Sequence, residues 1–255
     1  MRHSFPGFNV STAALYVTLS ILIIIGFMKC NGVPCCPEIE YFYTQQEWIC
    51  AKCPDSGARL FYKFNYTKYG NGAKKPCDGP GLMGLKNMTY HMSIDPDGKF
   101  IKTGTGTYVN ASGGTFLKVD KTSTIRLIIT GDKECDAATK EVQIRVVAPG
   151  DKHKLCFPHN DLPWPQGFWT GKTNVFGQGV VVHHIENPNP FSISVTLDGI
   201  TAPSIRPNQT SNIHKGKPAS GTWTFQIDSK AEYNTFIQSG AESLCVIVYL
   251  DCNCP

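Results

Sequence analysis

The chain has 255 residues, a formal net charge of +4 and eleven cysteines. Its short basic patches, HKGKP at 214–218 and GAKKP at 72–76, contain no aromatic residue. We expect no nucleic-acid partner, because phosphate binding needs a concentrated positive face. Cysteine use this heavy is typical of oxidising compartments, where thiols persist as disulfides. The composition therefore predicts an exported protein.

The first element is an apolar run from Val10 to Met28. Its length is near the ~20 residues of a membrane-spanning helix, and it also suits the core of a signal peptide. Arg2 precedes the run and no acidic residue does, so we expect the chain after Lys29 to be exported. Residues 1–32 are therefore predicted to be a signal peptide or a membrane-anchor helix. The protein would be secreted or held at the cell envelope, and would meet the membrane only through this segment.

Cys30 lies between this segment and the body of the chain. Eleven is an odd number, so at least one cysteine cannot pair within the chain. Cleavage after Gly32 would remove Cys30, and lipidation of Cys30 after cleavage in front of it would also leave an even set, although Lys29 suits a lipoprotein signal poorly. An uncleaved anchor is the third alternative. The ten disulfide candidates are Cys35, Cys36, Cys50, Cys53, Cys77, Cys135, Cys156, Cys245, Cys252 and Cys254.

The body of the chain is predicted to be all-β. Apolar and polar residues alternate in 123–130, 140–147, 191–197 and 222–227, as half-buried strands require. Clusters of Gly, Pro, Asn and Asp separate these stretches, and no helical periodicity is sustained between them.

The strands fall into two groups, residues 36–148 and 157–255. The stretch APGDKHKL between them has the Pro, Gly and charged residues typical of a domain linker. Each group has about 100 residues, the usual size of a small β-sandwich. Two tandem β-sandwich domains are therefore expected.

The first group carries the order of motifs of a known family. These are Ile49-Cys50, the strand at 60–64, the turn at 93–96 and the hairpin strands at 122–130 and 142–147. Over residues 37–148 it resembles the bacterial immunoglobulin-like domains, related in layout to polycystic-kidney-disease-type domains, of surface and secreted proteins. For this group the resemblance implies an immunoglobulin-like β-sandwich and a disulfide from Cys50 or Cys53 to Cys135, but no particular function. With the second group, the predicted fold is two tandem immunoglobulin-like β-sandwiches.

Two motifs raise the question of a metal site. Cys50 and Cys53 have the spacing of a zinc half-site, but a second half-site is missing, and an exported chain favours disulfides. His184 and Glu186 share one face of a predicted strand that also contains His183, and they need a third ligand to hold a metal. A solvated face is the simpler interpretation, so neither a metal nor another cofactor is expected.

No catalytic motif is recognised, neither G-x-S-x-G nor H-E-x-x-H. We therefore expect a non-enzymatic interaction or adhesion protein whose partner is a protein or a glycan at the cell surface. A small secreted hydrolase is the weaker alternative.

An aromatic loop, HNDLPWPQGFW, enters the second group and contains Trp164, Phe168 and Trp169. Exposed rings on such a loop stack on sugars or bind proteins, which predicts a partner site and, as an alternative function, a carbohydrate-binding module. The competing interpretation is that these rings are buried between the two domains.

Overall fold

A computed structural model describes residues 36–70, 73–76, 88–96, 99–106, 111–131 and 135–254. The predicted signal or anchor segment 1–32, and Cys30, Cys35 and Cys77, lie outside these residues. The strands of the first group are β1 (Cys36–Thr44), β2 (Trp48–Ile49), β3 (Ala58–Gly70), β4 (Ala73–Pro76), β5 (Met88–Asp95), β6 (Lys99–Gly106), β7 (Ala111–Leu117), β8 (Ser123–Thr130) and β9 (Ala138–Val146).

Two sheets enclose the hydrophobic core of the first group. One has the order β1–β3–β4, with β7 also paired to β3, and the other has the order β2–β9–β8–β5–β6. All pairs are antiparallel except β2 with β9. Alternation places one side of each strand inward, as the pattern of β8 shows. The buried cluster takes large side chains from both sheets, among them Phe42, Leu60, Tyr62, Phe64, Tyr90, Met92, Ile125, Leu127 and Ile129.

The second group is built in the same way from two further sheets, β10–β17–β12–β15 and β11–β16–β13–β14. Its buried cluster includes Val182, Val246, Trp169, Trp223 and Phe225. The strands are β10 (Lys152–Pro158), β11 (Trp169–Thr173), β12 (Val180–Glu186), β13 (Ile193–Leu197), β14 (Ile200–Ile205), β15 (Thr210–Ser211), β16 (Gly221–Ile227) and β17 (Ser243–Cys252).

Within the described ranges one helix, α1 (Lys230–Gln238), interrupts the strands. The hydroxyl of Ser229 accepts a hydrogen bond from the Glu232 backbone N–H, and Gly240 has a positive φ just past the end of the helix. The alternation of the body predicts strands and no helix at this position. The Ser-x-x-Glu spacing is the local signal that predicts this start, because it matches a capping box. The body is otherwise β, so the all-β class is confirmed; tandem immunoglobulin-like domains stay a prediction.

Among the described residues, four disulfides join eight of the predicted cysteines: Cys36–Cys135, Cys50–Cys252, Cys53–Cys254 and Cys156–Cys245. The pairing of Cys50 or Cys53 with Cys135, implied by the family resemblance, is therefore wrong. The beginning of β1 lies beside the end of β8, where the ring of Pro37 packs on Gly131. This arrangement brings Cys36, and not Cys50 or Cys53, within bonding distance of Cys135. The disulfides indicate an oxidising environment.

The two groups are joined by disulfides as well as by packed side chains. Cys50 and Cys53 follow β2 and bond to Cys252 and Cys254 at the other end of the chain, with Cα–Cα distances of 5.7 Å and 5.1 Å. Both half-cystines on the β2 side are buried and belong to the hydrophobic cluster of the second group.

Strand β2 contributes to both cores. Its Ile49 side chain belongs to the cluster of the first group, and its Trp48 side chain belongs to that of the second. The Trp48 backbone donates to the Val175 carbonyl at 3.0 Å and accepts from the Gly177 N–H at 2.6 Å. The predicted boundaries 36–148 and 157–255 stay predictions, but residues of the first range complete the second core.

We predict that the two junction disulfides stabilise the fold non-additively. With Cys50–Cys252 intact, Cys53–Cys254 closes a loop of only a few residues, so the double variant Cys53→Ala/Cys254→Ala should lower the free energy of unfolding by about 2 kcal/mol. Removing both bridges also opens the loop between residues 202 positions apart. Because the unfolded chain then gains the entropy of this large open loop, the free energy of unfolding should fall by about 5 kcal/mol more.

Urea denaturation of wild type, of each single-bridge variant and of the variant without both bridges measures this difference. Each single-bridge variant is the control for the other, since either bridge alone keeps the large loop closed. Losses that simply add would contradict the prediction.

Candidate binding surface

The outer side of the β1–β3–β7 sheet carries four aromatic side chains that point away from the core. Tyr41, Tyr43 and Phe116 are 37%, 50% and 49% exposed, and Phe61 is half-buried. We call these four residues the aromatic face. Their positions follow from alternation, since Phe42, Leu60 and Leu117 beside them point inward.

A β-bulge decides which way Tyr41 points. In the β1–β3 pair, Ile39 faces Phe64 and Tyr41 faces Lys63, so Glu40 is an extra residue in β1. Ile39 packs on the core, and after the bulge both Glu40 and Tyr41 are exposed. In a regular strand without a bulge, Tyr41 would share the inward side with Ile39, because the side-chain period of a strand is two residues.

The rings contact one another across the strands. Tyr43 pairs with Phe61 in the register, and their rings stack with centroids 5.4 Å apart and planes at 28°. The ring of Tyr41 lies 5.9 Å from that of Tyr43. Both distances lie within the range for favourable aromatic pairs, so neighbouring rings hold one another in place.

Glycines leave room between Phe61 and Phe116. Gly114 is the partner of Phe61 in the β3–β7 register, and Phe116 lies two residues further along β7, opposite Arg59. The ring of Phe116 lies directly on Gly57, where a Cβ atom would come within 2.4 Å of it. A groove of about 370 Å³ results, with Gly114 and Thr115 lining it between the two rings and Arg59.

The charged side chains around the aromatic face differ in whether they form an ion pair. The Lys63 ammonium lies 2.6 Å from the Glu40 carboxylate, which also accepts a hydrogen bond from the Asn65 amide at 2.6 Å. The hydrogen bond to Glu40 raises the pKa of Lys63. Arg59 is exposed, and within the described part of the chain no carboxylate forms an ion pair with it.

The predicted loop site has a different environment. Trp169 is fully buried, with its ring 5.8 Å from that of Tyr233 and 5.4 Å from that of Phe236. Trp164 is half-buried, and its indole N–H donates to the Ile227 carbonyl at 3.4 Å; Phe168 is also half-buried. Trp169 therefore lies in the core of the second group beside α1, neither in solvent nor at the junction. A binding role for Trp164 and Phe168 stays a prediction.

The same loop is held by a hydrogen-bond network. The Tyr233 hydroxyl donates to the Leu162 carbonyl at 2.6 Å and lies 2.8 Å from Nε2 of His159. Nδ1 of His159 accepts from the Asp161 N–H at 3.1 Å, so Nε2 carries the imidazole hydrogen and donates to Tyr233. These groups serve to anchor the loop.

The histidines of β12 form a cluster with an aromatic partner. The His184 ring stacks on Tyr249 with centroids 4.0 Å apart, and the Tyr249 hydroxyl donates to Glu186 at 2.9 Å. That hydrogen bond raises the pKa of Tyr249, and burial lowers the pKa of His184. Nδ1 of His183 lies 2.6 Å from Nδ1 of His184. In the described ranges no three His, Cys, Asp or Glu side chains are grouped to hold a metal ion, and Cys50 and Cys53 are in disulfides.

A histidine also lies at the junction. The Trp48 indole N–H donates to Nδ1 of His153 at 3.2 Å, and the His153 ring packs edge-on against Phe176. Burial lowers the pKa of His153; Glu47 opposes this effect and Arg145, whose guanidinium lies over the Trp48 ring, adds to it. The neutral imidazole is the form that accepts from Trp48.

No protein-family model, no curated protein and no solved structure matches this chain. Across the described ranges, no helix has the length and apolarity to cross a membrane.

Sequence reasoning missed the aromatic face. The signal was present in Tyr41-Phe42-Tyr43 and in Leu60-Phe61-Tyr62, where large side chains follow one another without a polar residue between them. Consecutive aromatic residues in a strand point to opposite sides, so at least one ring of each set must face outward.

We predict that His153 makes the fold acid-sensitive. Its native-state pKa is below the usual value of about 6.5, so at lower pH the unfolded chain binds a proton that the native protein does not. The contribution of His153 to the free energy of unfolding is therefore complete when the pH is above the unfolded-state pKa. It decreases as the pH falls from that pKa towards the lower native-state pKa. His153→Gln should remove this loss, because the amide oxygen can accept from Trp48 but does not titrate.

Chemical denaturation between pH 7.5 and pH 5 measures the effect. His184→Gln is the matched control, since its pKa is lowered in the same direction but it lies away from Trp48. The His184→Gln variant should lose only the part of the acid sensitivity that comes from His184 and keep the part that comes from His153. An unchanged pH slope in His153→Gln would contradict the prediction.

Proposed function

We propose that this chain is an exported, disulfide-stabilised binding protein that holds a partner at a cell surface and catalyses no reaction. The observation that carries the proposal is the aromatic face. Contiguous large apolar side chains on the surface of a soluble protein mark interaction sites. Tyr, Phe and Arg are enriched at the centres of interfaces, and Lys and Glu are depleted there. Arg59 lies within this face, and the paired charges of Lys63 and Glu40 lie beside it.

The scaffold supports the same proposal. In our proposal residues 1–32 direct export, and the two pairs of sheets are tandem immunoglobulin-like β-sandwiches. The two junction disulfides and the shared strand β2 restrict how one pair of sheets can move against the other. A contact surface gains affinity when less motion is lost on binding, so a preorganised scaffold suits a binding protein.

The polar clusters also favour binding over catalysis. His159 and Tyr233 bond to each other and to the main chain of their loop. Glu186 bonds to Tyr249. In each cluster the titratable groups hold neighbouring segments together, which supports a structural use of these side chains.

The test is binding of the fluorescently labelled protein to cells of the source organism and of its neighbours, measured by flow cytometry. Tyr43→Ser with Phe61→Ser should reduce cell binding at least tenfold, because residues at the centre of an interface contribute about 2 kcal/mol or more each. The thermal midpoint should change little for Tyr43→Ser, since its ring is half exposed.

Ile213→Ser is the matched control, because Ile213 is 51% exposed, as much as Tyr43, but lies outside the sheet that carries the aromatic face. It should leave cell binding unchanged. Equal binding by the control and the Tyr43→Ser/Phe61→Ser variant would contradict the proposed function.

A further inference from the structure

The groove beside the aromatic face differs from a flat protein–protein contact. Its volume of about 370 Å³ lies in the range of small-ligand sites, and it is bounded by the rings of Phe61 and Phe116. The lining between the rings includes Gly114, which adds no side chain to the floor of the groove. The shape thus favours one ring-sized unit placed between two aromatic side chains.

The chemistry of the groove is apolar on its walls and positive at one end. The Phe61 and Phe116 rings offer apolar faces, and Arg59, opposite Phe116 in the register, brings a guanidinium. In the described part of the chain this guanidinium forms no ion pair, whereas Lys63 and Glu40 neutralise each other. The charge left for a ligand is therefore positive.

An acidic sugar combines both features. The C–H faces of a pyranose pack on aromatic rings, and its carboxylate matches the planar fork of an arginine in a bidentate hydrogen bond. The hydroxyl groups of Tyr41 and Tyr43 lie along the same sheet face and can bond to the hydroxyls of neighbouring sugars. A chain of sugars laid along the sheet would thus contact the whole aromatic face.

We propose that the groove binds a carboxylate-bearing sugar of an acidic glycan, with Arg59 pairing its carboxylate and Phe61 and Phe116 holding its ring. This inference rests on the proposed function, since it names the partner class of the same surface. A protein partner is the competing occupant. Standard protein interfaces bury about 800 Å² on each partner, a larger area than a groove for one ring provides.

The experiment is calorimetric titration of the purified, disulfide-intact protein with oligogalacturonate, hyaluronan and alginate oligosaccharides. The same oligogalacturonate with its carboxylates methyl-esterified is the matched ligand control. Wild type should bind at least one of the acidic oligosaccharides, and the methyl ester should bind at least tenfold more weakly, because it keeps the sugar ring but lacks the charge. Added salt should weaken binding of the free acid.

Variants test the two parts of the groove separately. Arg59→Gln should weaken binding of the free acid at least tenfold and leave that of the methyl ester unchanged, whereas Phe61→Ala should weaken both. Arg206→Gln is the protein control, because Arg206 is also exposed but lies in the second group. It should bind as wild type does.

Failure to bind any of the acidic oligosaccharides, or equal binding of free acid and methyl ester, would overturn the inference. Cell binding separates this failure from failure of the proposed function. If the Tyr43→Ser/Phe61→Ser variant loses cell binding that protease treatment of the cells abolishes but enzymatic removal of acidic glycans does not, the partner is a protein. The acidic-glycan assignment would then be wrong while the binding function stands.

Discussion

The two-residue strand β2 is the constraint on which the rest of this structure depends. Consecutive side chains of a strand point to opposite sides, so Ile49 enters one hydrophobic core and Trp48 enters the other. The backbone of Trp48 bonds to the segment around Val175, and the next cysteines along the chain bond to Cys252 and Cys254. A shift of β2 by one residue would exchange the two side chains and place each in a site of the wrong size. The two pairs of sheets are thereby joined by packing, by main-chain hydrogen bonds and by covalent bonds at a single place.

The aromatic face depends on a different balance, between burial and exposure in the same strands. Strand β3 places Leu60 and Tyr62 in the core while Phe61 between them faces outward. Burial of the inward residues stabilises the fold, at roughly 25 cal/mol for each Å² of apolar surface removed from water. The outward rings gain little of this and contact each other instead. The proposed ligand would cover these rings, and it would meet the glycines of β7 and the guanidinium of Arg59, which forms no ion pair within the described part of the chain.

Local sequence signals predicted the strands well and the contacts between them poorly. The alternation in 123–130 and 222–227 corresponds to β8 and β16, because burial on one side of a sheet imposes a period of two. The helix α1 was not predicted, although Ser229 and Glu232 match a capping box, because a segment of nine residues shows too little periodicity. For Trp169 the sequence leaves two alternatives, exposure on a loop or burial between the two groups, whereas the ring lies in the core of the second group beside that helix. The packing of this ring depends on an element more than 60 residues further along the chain, so local signals do not decide it.

By itself the sequence determined the class of the molecule: a β-structured body with enough cysteines to need an oxidising environment, both of which follow from composition and short-range alternation. Only the tertiary structure decided which cysteines pair, because a disulfide requires Cα atoms within about 7 Å of each other and that distance is set by strand order. It also decided that Tyr41 faces outward, through the bulge at Glu40, and that Arg59 lies opposite Phe116. Register and bulges arise from pairing between distant segments, so no window of the sequence contains them.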